Sequence, residues 1–453
     1  MSDFTKKEKE LRAAGVRYLF GAYVDIHGVP KSKTVPLSHF KEMMKGSELY
    51  TVGALEGMGP LGPNEDECVG IPDATTLTIL PWDSRYAVAA ADLTFHGQPY
   101  DHDSRWVLHR QIAAAADMGY IMNMGVEPEV YVLQKREGNW IPFVLEDLLN
   151  APTRGYDIET TILADPFLDP MVEHINALGW DVYSFDHEGG DGQYEFDFGY
   201  TDALTMCFRM ILFRLMAKHV ARSIGCIASF MPKPWPDAFG SGAHMNVSLA
   251  DKFTGKNMFK ARSKEEAIDK QGYTKLAYQF TAGVLRHFGS ITAVVCPTTN
   301  SYKRMVPYGR MREMSWAPVY RAWGHNNRTL IARLPINRYC LEVRQADSAC
   351  NFYLGSAMVL AAGLEGIRED LDPGEAVDYD TYTVNEPELE ARGILRVPRT
   401  LGEALESFKS DPLSTEVFGE SFHSTFLEYK QAEWNEYCLD VSQWERDRYL
   451  QLW

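Results

Sequence analysis

Glu127-Pro128-Glu129 opens the apolar run Val130-Tyr131-Val132-Leu133, and strand alternation would put both carboxylates on one face. Two carboxylates so placed repel each other unless a proton or cation lies between them. A second pair, Glu188 and Glu195, spans a glycine-rich turn in the pattern E-x3-G-Q-x-E. Gly240-Ser241-Gly242-Ala243-His244 brings an imidazole out of a flexible loop, and Glu342 shares the run Leu341-Glu342-Val343-Arg344 with an arginine. Each has a plain structural reading: a surface E-P-E, a satisfied histidine, a same-face ion pair worth little when exposed. Together they make a carboxylate-rich set suited to Mg2+ or Mn2+. Ions of that kind bridge nucleotide phosphates and neutralise charge during phosphoryl transfer. The chain has no G-x4-G-K-[ST] phosphate loop and no kinase signature set. Metals and arginines must therefore hold the phosphates. Arg304, Arg328, Arg333 and Arg344 lie in one third of the chain, and a guanidinium grips a carboxylate or phosphate bidentately.

The elements that must position these residues are read from periodicity and punctuation. A charged helix over 1–14 precedes a strand over 16–26 and the turn His27-Gly28-Val29-Pro30. Residues 48–66 are rich in glycine, proline and acids and read as a loop. Short strands follow near 76–80 and 87–95, giving a small β-rich domain up to residue 105. Ser104 reads as the N-cap of a helix ending before Gly119. Thereafter strands are expected at 121–134, 181–186, 193–198, 226–231, 243–249, 328–334 and 340–345. Helices are expected at 166–178, 200–223, 264–288, 351–369, 401–409 and largely through 420–452.

Composition sets outer limits. The 453 residues are 45% hydrophobic and 12% aromatic, enough for two or three domains with a large core. A net charge of −17 argues against non-specific nucleic-acid binding. Seven scattered cysteines without CxxC spacing fit a reducing compartment. The N-terminal segment has no signal-peptide core and no apolar run is long enough to cross a bilayer, so a soluble, cytoplasmic protein is expected.

The segments F-M-P-K-P (230–234), G-S-G-x-H (240–244), T-x-N-S-Y-K-R (298–304), N-R-x4-R-x-P (327–335) and E-V-R (342–344) resemble those of the glutamine synthetase family. K-S-K-T-V-P (31–36), I-P-D (71–73) and the C-terminal E-W and W-E pairs add to the match, which covers nearly the whole chain in order. The resemblance implies an α+β fold: a β-grasp N-terminal domain over 1–105 and a larger catalytic α/β domain over 106–453. It implies a ring-shaped homododecamer with active sites between subunits, no membrane or nucleic-acid partner, and ATP with two or three Mg2+ or Mn2+ ions per site. By motif match, Glu129, Glu188 and Glu195 hold one metal, and Glu127, His244 and Glu342 the second. Arg304 and Arg344 fall where the family grips the substrate carboxylate or the transferring phosphate, Arg328 and Arg333 at the phosphates, Asn246 and Ser248 on the nucleotide side, and Gly240 against glutamate. The implied chemistry is phosphorylation of the γ-carboxylate of glutamate, followed by attack of an amine.

The chain departs from the family around the amine. Ammonia-using members carry a glutamate between V-P and A-P; here that loop is longer, and Trp316 precedes Ala317-Pro318. Glu313 stands within the insertion. The family's D-G-S is absent, with Glu56-Gly57-Met58 nearby, while Tyr156 matches the tyrosine of the ammonium pocket. Phe239 and Cys340 replace a usual asparagine and arginine, Asn246 stands where many bacterial members have a second histidine, and 372–398 has no match to the adenylylated N-L-Y tyrosine. A tryptophan in place of an acid offers an alkylammonium both an apolar wall and a π face. The expectation is therefore a glutamate–alkylamine ligase, with methylamine first. The alternatives are a glutamine synthetase using ammonia, with Trp316 merely packing the insertion, and a non-catalytic member of the family.

Overall fold

The apolar run after Glu129 becomes part of one long strand, Tyr120–Arg136, in a computed structural model that describes residues 3–143, 155–308 and 315–452. This strand is the spine of an eleven-stranded sheet. From one edge the order is Val182–His187, Gln193–Phe198, Tyr120–Arg136, Ala243–Asp251, Leu341–Val343, Leu330–Arg333, Tyr320–Gly324 and Leu395–Arg396. Asn139–Pro142, Thr201–Asp202 and Cys226–Ser229 also pair with the long strand. All but one of these pairings are antiparallel; Tyr320–Gly324 runs parallel to Leu330–Arg333. One face of the sheet's inner strands meets helices through Met122, Met124, Val126, Met245 and Val247, while the other carries the acids.

A second, eight-stranded sheet lies within Tyr18–Pro99, in the order Pro30–Lys31, Tyr18–Val24, Tyr86–Phe95, Cys68–Pro72, Glu48–Tyr50. The helix Ser104–Asp117 packs against both sheets, and one hydrophobic core runs from Val24 and Val88 through Val107 to Val126. That core continues under the helices Ala203–Ser223, Lys275–Arg286 and Phe352–Arg368. The last two cross closely enough that backbone meets backbone at two glycines. A Cβ on Gly366 would stand 2.1 Å from the Gln279 carbonyl oxygen, and one on Gly283 would stand 1.9 Å from that of Ala362.

Most expected elements are present, with instructive differences. The N-cap of the helix at 104 is Asp103, not Ser104. Its Oδ1 accepts the Arg105 N–H at 3.0 Å and its Oδ2 the Leu93 N–H at 2.8 Å, while the Ser104 hydroxyl is engaged by Asn351 at 2.9 Å. The helix expected at 264–288 covers only Lys275–Arg286. Asp269 turns the chain before it by accepting the N–H groups of Gly272 and Tyr273 at 2.7 and 2.9 Å, and Phe288–Val295 is a separate helix. The loop expected at 48–66 contains the edge strand Glu48–Tyr50 and a short 3-10 turn at Val52–Ala54. The helix expected through 420–452 breaks at Asp440–Val441, where a Ser442/Glu445 capping box starts a second helix. No helix among the described residues is long and apolar enough to cross a membrane.

The glycine crossing sets a stability test. Gly366→Ala forces backbone apart from backbone, with no flexible side chain to give way. The expected loss is about 1–3 kcal/mol, as for other overpacked cores, read as a lower Tm by calorimetry. An unchanged Tm would mean that the crossing is loose.

Candidate active site

Strand registry assembles the acids. On the long strand Glu127 lies opposite His244, and Glu129 lies opposite Glu195. Glu195 in turn lies opposite Asp186, so Glu129, Glu195 and Asp186 form a row across three strands. Glu342 pairs with Asn246 on one side and with Arg333 on the other. Ligating atoms of Glu127, His244 and Glu342 all come within 4.8 Å of one another, and so do those of Glu129, Glu195 and His244. His244 thus joins the two groups. Glu188, expected to share the Glu129–Glu195 group, does not close on it among the described residues. Its carboxylate turns back to accept the Gly189 N–H at 3.1 Å, although its charge still bears on both Glu129 and Glu195.

The two groups differ in their electrostatics. Around Glu342 the arginines dominate: Arg333 donates to it at 2.7 Å, Arg344 lies against its other oxygen, and Arg338 stands at 3.5 Å. Burial works against its ionised form, yet those cations and His244 hold its carboxyl well below the usual range. Glu127 is likewise held below its usual value: burial opposes that, but contacts with His244 (3.5 Å) and Arg338 (2.8 Å) outweigh it. Around Glu129 and Glu195 the acids dominate. Burial and then Glu188 push Glu129 up to about 8, and burial with Glu188, Glu129 and Glu127 raises Glu195 well above its usual value. Burial and Arg344 lower His244 to about 4, leaving a neutral imidazole at pH 7.

A divalent metal fits this donor set. Hard oxygens dominate it, one half gathers more carboxyls than its neighbouring cations can keep ionised, and the space is kept open by a glycine. A Cβ on Gly242 would lie 2.8 Å from Glu129 Oε1, 2.9 Å from His244 Nε2 and 3.0 Å from Arg304 Nη2. Gln193 and the Gly242 N–H each donate to Glu129 Oε2 at 2.8 Å, which aims the carboxylate. Gln193 stood in the E-x3-G-Q-x-E pattern without a role; its buried position beside Glu129 assigns one.

The remaining expected residues fall around this cluster. Asn246 donates to Glu127 at 3.0 Å and, with Ser248, lines a cavity of about 380 Å³ that reaches Glu127, Tyr183 and Tyr200. Arg338 and Cys340 also line it. Arg338 is a site residue that the sequence reading missed. Its only signal was the Arg338-x3-Glu342 spacing, which means little until the turn folds the guanidinium back onto Glu127. Arg304 is buried and donates to the carbonyls of Gln345 and Arg344 at 3.1 Å each. Gly240 leaves room for its stem: a Cβ there would meet Arg304 Cγ at 2.5 Å.

The residues expected around the amine are partly brought together. Trp316 and Tyr156 both adopt left-handed backbone, at φ 55° and 63°, an uncommon choice for such residues. The Arg328 guanidinium lies over the Trp316 ring at 5.5 Å, and its charge also acts on Tyr156 and Glu188. Glu56 is not with them: it accepts from Tyr429 at 2.9 Å, and Tyr429 meets His27 at 2.8 Å. Glu313 lies outside the described residues.

The glutamine synthetase catalytic-domain family matches residues 101–449. The chain belongs to the glutamine synthetase family. Members of this family use ATP and divalent metals. Over 452 residues the chain is 38% identical to glutamate–methylamine ligase from Methyloversatilis universalis, covering 99% of each chain. It is 34% identical to glutamine synthetase from Halobacterium salinarum, over 98% of this chain and 95% of that one. A solved GmaS–ADP complex superposes with a TM-score of 0.89 at 31% identity, covering 99% of this chain and 100% of that one.

Carboxylates pushed up by their neighbours hold protons that an entering cation displaces. Adding Mn2+ to metal-free protein at pH 7 in weak buffer should release protons and raise Tm, because the ligand binds only the folded state. Glu129→Gln should reduce the proton release. No acidification on binding would show that the acid-rich half is already ionised.

Proposed function

We propose that this carbon–nitrogen ligase joins the γ-carboxylate of L-glutamate to methylamine, with ATP as the phosphoryl donor. The products are γ-glutamylmethylamide, ADP and phosphate. Glu127, His244 and Glu342 would hold one Mg2+ or Mn2+ ion and Glu129 and Glu195 another, on the donor geometry above. Glu188 joins the second set by its family motif and by its charge on both acids, once its carboxylate leaves the Gly189 N–H. When bound, such ions neutralise charge on the phosphates and on the transferring phosphoryl group. Asn246, Ser248 and Arg338 line the cavity assigned to the nucleotide. Arg304 and Arg344 supply positive charge at the acceptor carboxylate or the transferring phosphate, and Arg328 and Arg333 at the phosphates. That charge stabilises a transition state in which negative charge spreads over phosphoryl oxygens. Gly240 keeps a close approach open for glutamate.

The observation that carries the amine assignment is Trp316, a half-exposed ring under the Arg328 guanidinium at the edge of the cluster. An aromatic wall there favours an alkylamine over ammonium, through burial of its methyl group and through its π face. The likeness to a glutamate–methylamine ligase over nearly the full length supports the same reading.

An assembly of copies goes with this proposal, a dodecamer with sites between subunits. Two features support it. Glu56 bonds to Tyr429, apart from the cluster of its own chain, as a residue serving a neighbour's site would. The C-terminal segment also leaves Leu439, Leu450 and Leu452 more than half exposed. A β-grasp unit over 1–105 and a catalytic unit over 106–453 are supported by the first sheet's confinement to Tyr18–Pro99 and by the family match that begins at 101. A cytoplasmic location fits seven cysteines that are all free thiols.

Phosphate release measured with ATP, Mg2+ or Mn2+, glutamate and a panel of amines tests the substrate. Methylamine should exceed ammonium in kcat/KM; the reverse order would make the chain a glutamine synthetase. In the same assay Trp316→Glu should lower the methylamine-to-ammonium ratio by about four-fold or more, the worth of one buried methyl group at ~0.8 kcal/mol. An unchanged ratio would assign Trp316 to packing.

A further inference from the structure

Behind the Tyr320–Gly324 strand lies a cavity of about 570 Å³ that the reaction does not use. That volume falls in the range of small-molecule sites. Leu285, Arg286, Arg321, Trp323, Val377 and Arg392 are among its lining residues. None of these belongs to the carboxylate cluster. The two sites are nevertheless adjoining, because Tyr379 lines both this cavity and the one that holds Trp316 and Arg328.

The three guanidiniums around it are not equivalent. Arg286 is paired with Glu365 at 3.0 Å and with Glu369. Arg392 is paired with Glu388 and donates to the Tyr379 hydroxyl at 3.0 Å. Arg321 has no carboxylate partner among the described residues. Its Nε donates to the Leu285 carbonyl at 3.0 Å and its guanidinium lies over the Phe288 ring at 5.5 Å. Burial weighs against its charge, and no neighbouring acid offsets that. A partly buried cation without an anion is costly, and a guanidinium fork matches a carboxylate or phosphate. Two acids stand on the exposed rim: Glu375, and Asp372, which is bound by the Gly374 N–H at 2.9 Å. They disfavour a highly charged guest. Ala282, Leu285, Ala322 and Val377 give the lining an apolar part.

We infer that this cavity is a second small-molecule site, which takes a single carboxylate or phosphate group at Arg321 and an apolar body against Leu285 and Val377. Saturation-transfer NMR on the full chain tests it, with phenyl phosphate, benzoate and neutral benzamide as probes. Saturating ADP and Mg2+ keep the catalytic site occupied. At least one anion should bind and benzamide should not. Arg321→Gln should weaken anion binding about ten-fold, as for loss of a charged hydrogen bond, and Arg321→Lys should retain part of it. Should Arg321→Gln fail to fold, Ala376→Trp, which fills the cavity from its rim, should abolish binding instead. Equal binding of benzamide, displacement of the anions by ADP, or unaltered affinity in the folded variants would overturn the inference, as would no binding of either anion.

Discussion

Like charges brought into neighbouring registers of a sheet must be separated by cations or must hold protons, and this constraint organises the centre of the protein. Glu129, Glu195 and Asp186 lie in one row, with Glu127 and His244 in the next position along the spine strand. On one flank Arg333, Arg338 and Arg344 supply the balancing charge to Glu342 and Glu127. On the other flank no guanidinium reaches Glu195 within ion-pair distance among the described residues, and burial raises the carboxyls. The balance of acids and arginines thus shifts across the three strand spacings between Glu195 and Glu342. A divalent cation is the species that relieves the crowding of acids, and phosphates are the groups such a cation then attracts.

Rigidity around that cluster comes from backbone. The spine strand is paired along both edges, Ser348 ties Glu129 and Gly242 through their carbonyls at 2.8 Å each, and Gln193 fixes the Glu129 carboxylate. Glycine at 240 and 242 lets Arg304 and the ligands approach where a side chain would intrude. The edge proposed for the amine is built differently. Tyr156 and Trp316 both sit on strained backbone at the borders of segments outside the described residues, and they are linked mainly by the charge of Arg328. On the proposed reading, substrate choice rests on a few aromatic and loop residues set against a fixed cluster. That division lets one scaffold keep its phosphoryl chemistry while the amine changes.

Much was legible in the chain itself, because local rules governed it. Period-two alternation places Glu127 and Glu129 together whatever surrounds them, and the apolar run after them forms a strand. Separated motifs in the right order identified the family. The helix at 275–286 was overextended because nothing in its periodicity announces that Asp269 captures the turn before it. Asp103 outcompeted Ser104 as the cap because the serine hydroxyl had a partner 247 residues away.

What tertiary structure alone decided is which groups meet. Registry between Tyr120–Arg136 and strands more than sixty residues later set His244 opposite Glu127 and Glu195 opposite Glu129, a pairing distance that no local pattern encodes. The turn before Leu341 folded Arg338 onto two carboxylates, and Gly189 drew Glu188 aside from the group its motif suggested. The sequence by itself determined the kinds of ligand, which follow from side-chain chemistry, and pointed to the class of reaction through its family motifs. The fold decided their grouping and their charge balance, since proton affinity depends on burial and on neighbours brought from afar.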